Sequence, residues 1–134
     1  MIVLVDTSVW SLALRRRIVD SSQHTQELIK LINNMHVQMI GPIRQEILSG
    51  IKVESQFVAV RDQLRSFPDL LLTSDDFEYA AELFSIVRAK GIQGSNTDFL
   101  ICSVSLRHSL PIFTTDNDFN LFAKHIPIKL HIAR

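Results

Sequence analysis

Apolar positions along the chain fall into two alternating patterns. Short, mostly apolar runs occupy Ile2–Val5, Val37–Ile40, Leu70–Leu72, Ile112–Phe113 and Ile128–Ile132, and these have the length of strands. Between them, spacing near 3.6 residues predicts helices over Ser8–Leu14, Thr25–Ile32, Pro42–Leu48, Phe57–Leu64, Asp76–Ala89, Thr97–Arg107 and Phe119–Lys124. Pro42 suits a first helical turn, Ser74-Asp75-Asp76 and Ser95-Asn96 supply N-caps, and Gly50 and Gly91 sit where helices should stop. Strands without polar alternation, separated by helices, indicate a parallel sheet covered on both faces. The predicted fold is a three-layer α/β/α sandwich around a mainly parallel sheet of about five strands, formed by a single domain over residues 1–134.

That fold gives meaning to the polar residues that end the apolar runs. Ile2–Val5 leads straight into Asp6, and a buried carboxylate without a partner costs several kcal/mol or loses its charge. Asp6 must therefore cap a helix, meet water at the sheet edge, or hold a cation. In open parallel sheets the ligand site lies beyond the carboxyl ends of the strands. Asp116, in PIFTTDNDF, stands just past the fourth strand and shares that edge. Glu46 lies early in the helix after the second strand. Asp98 lies in the first turn of a helix that leads into the fourth strand, so its end of the helix falls at the same edge. Asp118 is a fifth candidate.

Two carboxylates about 4 Å apart repel by roughly 4 kcal/mol at an effective dielectric of 20, enough to raise one pKa by about three pH units. A cluster of four cannot stay ionised without divalent cations or arginines. An all-oxygen donor set without thiolates or paired histidines suits Mg²⁺ or Mn²⁺ better than Zn²⁺, and four carboxylates balance two such ions. Each acid also has a plainer reading: a helix cap for Asp6, a dipole-stabilising first-turn acid for Asp98, a solvated helix residue for Glu46, and a turn for Asp116-Asn117-Asp118. What favours the site is that four separate segments bring acids to one edge.

Composition narrows the context. Nearly half of the residues are hydrophobic (46%) and a fifth charged (21%), as expected of a globular protein without a membrane span. The start of the chain lacks the basic region and cleavage site of a signal peptide. Cys102 is the only cysteine, which excludes an intrachain disulfide and fits a reducing cytoplasm. Fourteen basic residues balance fourteen acidic ones, so any nucleic-acid surface needs the two signs segregated.

The Asp-Thr-Ser after the first strand, GPIRQEILSGI after the second, NTDFLICSVSL in a later helix and LPIFTTDNDF after the fourth together resemble the PIN-domain family, and most closely its VapC-type toxins. The resemblance implies that Asp6, Glu46, Asp98 and Asp116 coordinate Mg²⁺ or Mn²⁺ and activate water. It gives Ser8 and Thr114 a supporting hydrogen-bonding role and Asp118 an auxiliary one. It further implies endoribonuclease activity on RNA such as tRNA or rRNA, a homodimer, and a VapB-type antitoxin that covers the groove. FLICSVSL is bulkier than relatives usually carry there. The run Arg15-Arg16-Arg17, and Arg44 near Glu46, are candidate RNA-backbone contacts, against solvated or ion-paired alternatives. Trp10 is read as a core or interface residue rather than a base-stacking one, and the five histidines as surface or core residues. A phosphotransfer domain fits poorly, since Asp6 is followed by Thr7-Ser8 and no late strand ends in a lysine within reach. A catalytically silent PIN-like binding module is the main alternative, set against the retention of four mutually repelling acids.

Overall fold

The computed structural model describes residues 1–14 and 22–134. Three parallel strands form the sheet in the order β2-β1-β3: β1 is Val3–Val5, β2 Val37–Gln38 and β3 Ile112–Phe113. Val3 pairs with Val37 on one side of β1, and Leu4 and Val5 pair with Ile112 and Phe113 on the other. Val3, Leu4 and Val5 are all fully buried. Because successive strand side chains point to opposite faces, both faces of β1 are covered.

Among the described residues seven helices connect and cover the strands: α1 (Thr7–Leu14), α2 (Gln23–Asn33), α3 (Gly41–Ser49), α4 (Glu54–Leu64), α5 (Ser74–Arg88), α6 (Asn96–His108) and α7 (Asp118–Phe122). Each overlaps a helix expected from the apolar spacing. Their ends follow local chemistry. Pro42 occupies the first turn of α3, and capping boxes built on Thr73 with Asp76 and on Ser95 with Asp98 start α5 and α6. Gly91, with φ of 78°, stands just beyond α5, where glycine meets no steric penalty.

The sheet has three strands rather than about five. The two outer candidates contribute one bridge each, Asp69 beside Met39 and Leu130 beside Ile112. Leu71 is 85% exposed, so 70–72 lacks the two-sided burial that would favour a full strand. Arg44 holds this edge in place. Its guanidinium pairs with Asp69 at 2.9 Å and donates to the carbonyls of Leu64 (2.9 Å) and Phe67.

α5 and α6 form the most extensive helix pair. Fully buried Asp76 pins them together: it receives the Thr73 N–H and pairs with Arg107 and His108 of α6. Burial pushes the Asp76 carboxyl up, but the Thr73, His108 and Arg107 contacts outweigh it and hold the group below the usual carboxylate range. Trp10 is buried in the core, edge-on to Phe67 at 5.2 Å. No helix among the described residues is long and apolar enough to cross a membrane.

Candidate active site

The pairing of β1 with β3 sets the site. Asp6 donates its N–H to the Phe113 carbonyl at 2.9 Å, so the residues leaving both strands run side by side at the carboxyl edge. The Asp6 carbonyl accepts from the N–H groups of Val9 and Trp10 and begins α1, while its side chain turns to a different set of partners. Ser8 Oγ and Thr114 Oγ1 each donate to Asp6 Oδ2 at 2.8 Å.

The direction of these bonds is fixed by what lies behind them. The N–H of Thr115 donates to Ser8 Oγ at 3.0 Å, and the N–H of Asp116 donates to Thr114 Oγ1 at 3.0 Å. Each hydroxyl accepts from an amide on one side and spends its single proton on the carboxylate on the other. Two amide–hydroxyl–carboxylate relays thus converge on one oxygen of Asp6. Asp6 is only 6% exposed, and a polar group buried this far needs such hydrogen-bond partners. The same relays tie the Asp116 loop to β1. Asp116 Oδ1 accepts the N–H of Asp118 at 2.9 Å, closing a turn at the start of α7, and Asp118 itself is exposed.

Asp98 approaches from the start of α6. It is the third residue of a capping box: Asp98 Oδ2 accepts the Ser95 N–H and Asp98 N–H donates to Ser95 Oγ, both at 3.1 Å. Despite these bonds its carboxyl is raised above the usual range, first by burial and then by the charges of Asp6 and Asp116. Cys102, one turn further along α6 and fully buried, is a neutral small residue whose thiol is pushed up by burial and by Asp98 and Asp6. Asp98 is held in place by what lies behind it as well. Gly94 precedes the cap, and a Cβ built there would lie 2.7 Å from the rings of both Phe122 and Phe99. Glycine lets the segment carrying Asp98 lie flat on the aromatic cluster beneath α7.

Glu46 projects from α3 and is exposed, with Oε1 accepting the hydroxyl of Thr7 at 2.8 Å. Thr7 drew no attention in the sequence beyond adjoining Asp6; its partner is 39 residues away. The structure therefore joins Asp6, Asp116, Ser8 and Thr114 in one hydrogen-bonded network, sets Asp98 within range of their charges, and attaches Glu46 beside Asp6 through Thr7. Among the described residues no three His, Cys, Asp or Glu side chains stand close enough to form a ready-made metal cage. The donor chemistry nonetheless suits a hard divalent cation. The ligands on offer are carboxylate oxygens, and Asp98 carries a repulsion that a cation would relieve.

Arg44 pairs with Asp69 and donates to two carbonyls rather than pairing with Glu46. Arg15, Arg16 and Arg17 lie outside the described residues. His108 and His131 pair with the buried acids Asp76 and Glu27, away from this edge. Beside Asp98, a cavity of about 540 Å³ opens between α5 and the start of α6, lined by Pro42, Phe77, Ala81, Phe84, Asn96 and Thr97. Phe77 in its wall is 52% exposed.

This chain matches the PIN domain over residues 3–125 and belongs to the PIN-domain family. It is 29% identical over 126 residues to Ribonuclease VapC11 from Mycobacterium tuberculosis and to VapC ribonuclease Mb1587 from Mycobacterium bovis. That alignment covers 91% of this chain and 92% of each relative. Its fold resembles VapBC2 from Rickettsia felis bound to a DNA fragment from their promoter, with a TM-score of 0.78, 18% identity and 98% of both chains covered. FitAcB from Neisseria gonorrhoeae is similar with a TM-score of 0.74 and 16% identity, again over 98% of both chains.

Proposed function

We propose that this protein is a Mg²⁺- or Mn²⁺-dependent endoribonuclease, the toxin of a toxin–antitoxin pair. The observation that carries the reading is the convergence at one sheet edge, where burial and the charges of Asp6 and Asp116 raise the Asp98 carboxyl above its usual range. The 29% identity to VapC ribonucleases supplies the reaction class. The same reading takes the covered faces of the sheet as a three-layer α/β/α sandwich.

Asp6, Glu46, Asp98 and Asp116 would hold the cation. When bound, it supplies charge neutralisation at the phosphate and lowers the pKa of water to make a nucleophile near neutral pH. The chain's own residues do the rest. Ser8 and Thr114 donate to Asp6 Oδ2 and fix the orientation of that carboxylate. The Ser95 cap fixes Asp98, and the Asp116–Asp118 turn fixes the last acid. RNA reaches the edge from solvent, since Glu46 and Asp118 are exposed there. A VapB-type antitoxin and a second copy of the chain are the partners this reading assigns, by analogy with the toxin–antitoxin complexes its fold resembles.

The test is incubation of antitoxin-free protein with total RNA in Mg²⁺, Mn²⁺ or chelator, beside Asp6→Asn and Asp98→Asn. Discrete fragments that require metal and vanish in both variants are expected. Intact RNA throughout, from folded protein, would overturn the nuclease and leave a PIN-like binding module.

A further inference from the structure

We propose that Thr7 is a positioning residue for Glu46, fixing the one acid of the four that no residue of its own segment holds. The inference rests on the metal-dependent reading above. Asp6 is set by β1 and two hydroxyls, Asp98 by its capping box, and Asp116 by the turn to Asp118. Each of these is a short side chain braced by a neighbour two or three residues away, and Asp6 by Thr114 as well. Glu46 is different. It stands on α3, is exposed, and has three rotatable bonds, so its carboxylate samples many positions unless something holds it.

Thr7 Oγ1 holds it at 2.8 Å. An ionised carboxylate only accepts, so the hydroxyl is the donor and its single proton is directed at Glu46 Oε1. The location matters as much as the bond. Thr7 is the first residue of α1 and the immediate neighbour of Asp6, and α1 packs against α3. Anchoring Glu46 there brings the fourth acid to the residue adjoining the first. Oε2 takes no hydrogen bond among the described residues and is the oxygen left to face a cation. A neutral hydroxyl suits this task, because a lysine or arginine in its place would compete with the cation for the carboxylate.

The test uses the full chain and Mn²⁺ alone, titrated with free Mn²⁺ followed by electron paramagnetic resonance. Thr7→Val should weaken Mn²⁺ binding about tenfold, the scale on which loss of a ligand-orienting partner acts. Thr7→Ser, which keeps the hydroxyl, should restore it. On a Glu46→Ala background, Thr7→Val should add nothing further. Thr7→Ala repeats the loss of the hydroxyl if the valine disturbs folding. Wild-type affinity in both hydroxyl-free variants would overturn the proposal, as would an equal loss with and without Glu46, or failure of serine to rescue. If wild type itself takes up no Mn²⁺, the metal-dependent reading falls and this inference with it. If wild type binds and only the Thr7 effect is missing, the positioning role alone fails.

Discussion

Gly94→Ala perturbs the base of the candidate site without touching any of its acids. The added Cβ would lie 2.7 Å from Phe122 Cζ and from Phe99 Cε2, where carbon atoms normally sit about 3.5–4.0 Å apart. Neither ring has room to yield. Phe99 and Phe122 pack on each other at 4.9 Å, Phe99 also meets Phe84 at 5.1 Å, and Phe122 meets Phe119 at 5.4 Å. All but Phe84 are essentially buried. Opening such a contact costs about 1–3 kcal/mol of overpacking. Against this, alanine restricts the unfolded chain and returns about 0.4–1 kcal/mol, since the φ of Gly94 is not in the left-handed region. The net loss is about 1–2 kcal/mol, which for this chain lowers Tm by about 3–7 °C. Thermal unfolding followed by circular dichroism measures it. Phe122→Leu in the same chain should remove part of the clash, so the double variant loses less than the sum of the two. A Tm at or above wild type for Gly94→Ala would refute the close packing between the Asp98 cap and the ring cluster.

Three further predictions follow from single contacts. Asp98→Asn should raise metal-free stability near neutral pH, because it removes a charge disfavoured by burial and by Asp6 and Asp116 while keeping the cap acceptor. Its folded-state pKa lies above the unfolded one, so wild-type stability falls as pH rises through the range above the ordinary carboxylate value. The variant's advantage should therefore vanish as pH drops below that value, and a pH-independent difference in Tm would contradict the repulsion. Met35 ends α2 with φ of 57° and is 86% exposed, so Met35→Gly should stabilise by about 0.5–1 kcal/mol in urea unfolding. Arg44→Met should destabilise by about 1–3 kcal/mol, with Arg44→Lys giving little rescue, because the planar fork spans Asp69 and two carbonyls at once. Unchanged stability with weaker RNA binding would instead make Arg44 a phosphate contact.

The strands and helices were legible because burial on two faces and burial on one stripe leave different periods in the sequence. The exception is α6, buried at every position from Phe99 to Ser105 and legible from its length and N-cap instead. The sheet was over-read at its edges: 70–72 and 128–132 look like strands, yet Leu71 and Ile132 are exposed and pairing is confined to one bridge beside the first run, at Asp69, and one within the second, at Leu130. For the site, the sequence placed Asp6 and Asp116 after runs that become adjacent strands, and residue order alone puts those ends together once the sheet is parallel. Hydrogen bonds across long separations leave no such trace. Nothing near Thr7 signals Glu46, and nothing near Arg44 signals Asp69, 25 residues on; both contacts depend on how α3 settles against its neighbours. The fit of Gly94 under Phe99 and Phe122 was hidden for the same reason.

The central claim is that acids from separate segments act as one cation site. Mn²⁺ affinity measured on wild type and on Asp6→Asn, Asp98→Asn and Asp116→Asn tests it most directly. Wild type should bind saturably, and each single amide should weaken binding about tenfold or more. Wild-type affinity in any two of the three folded variants would contradict a shared site.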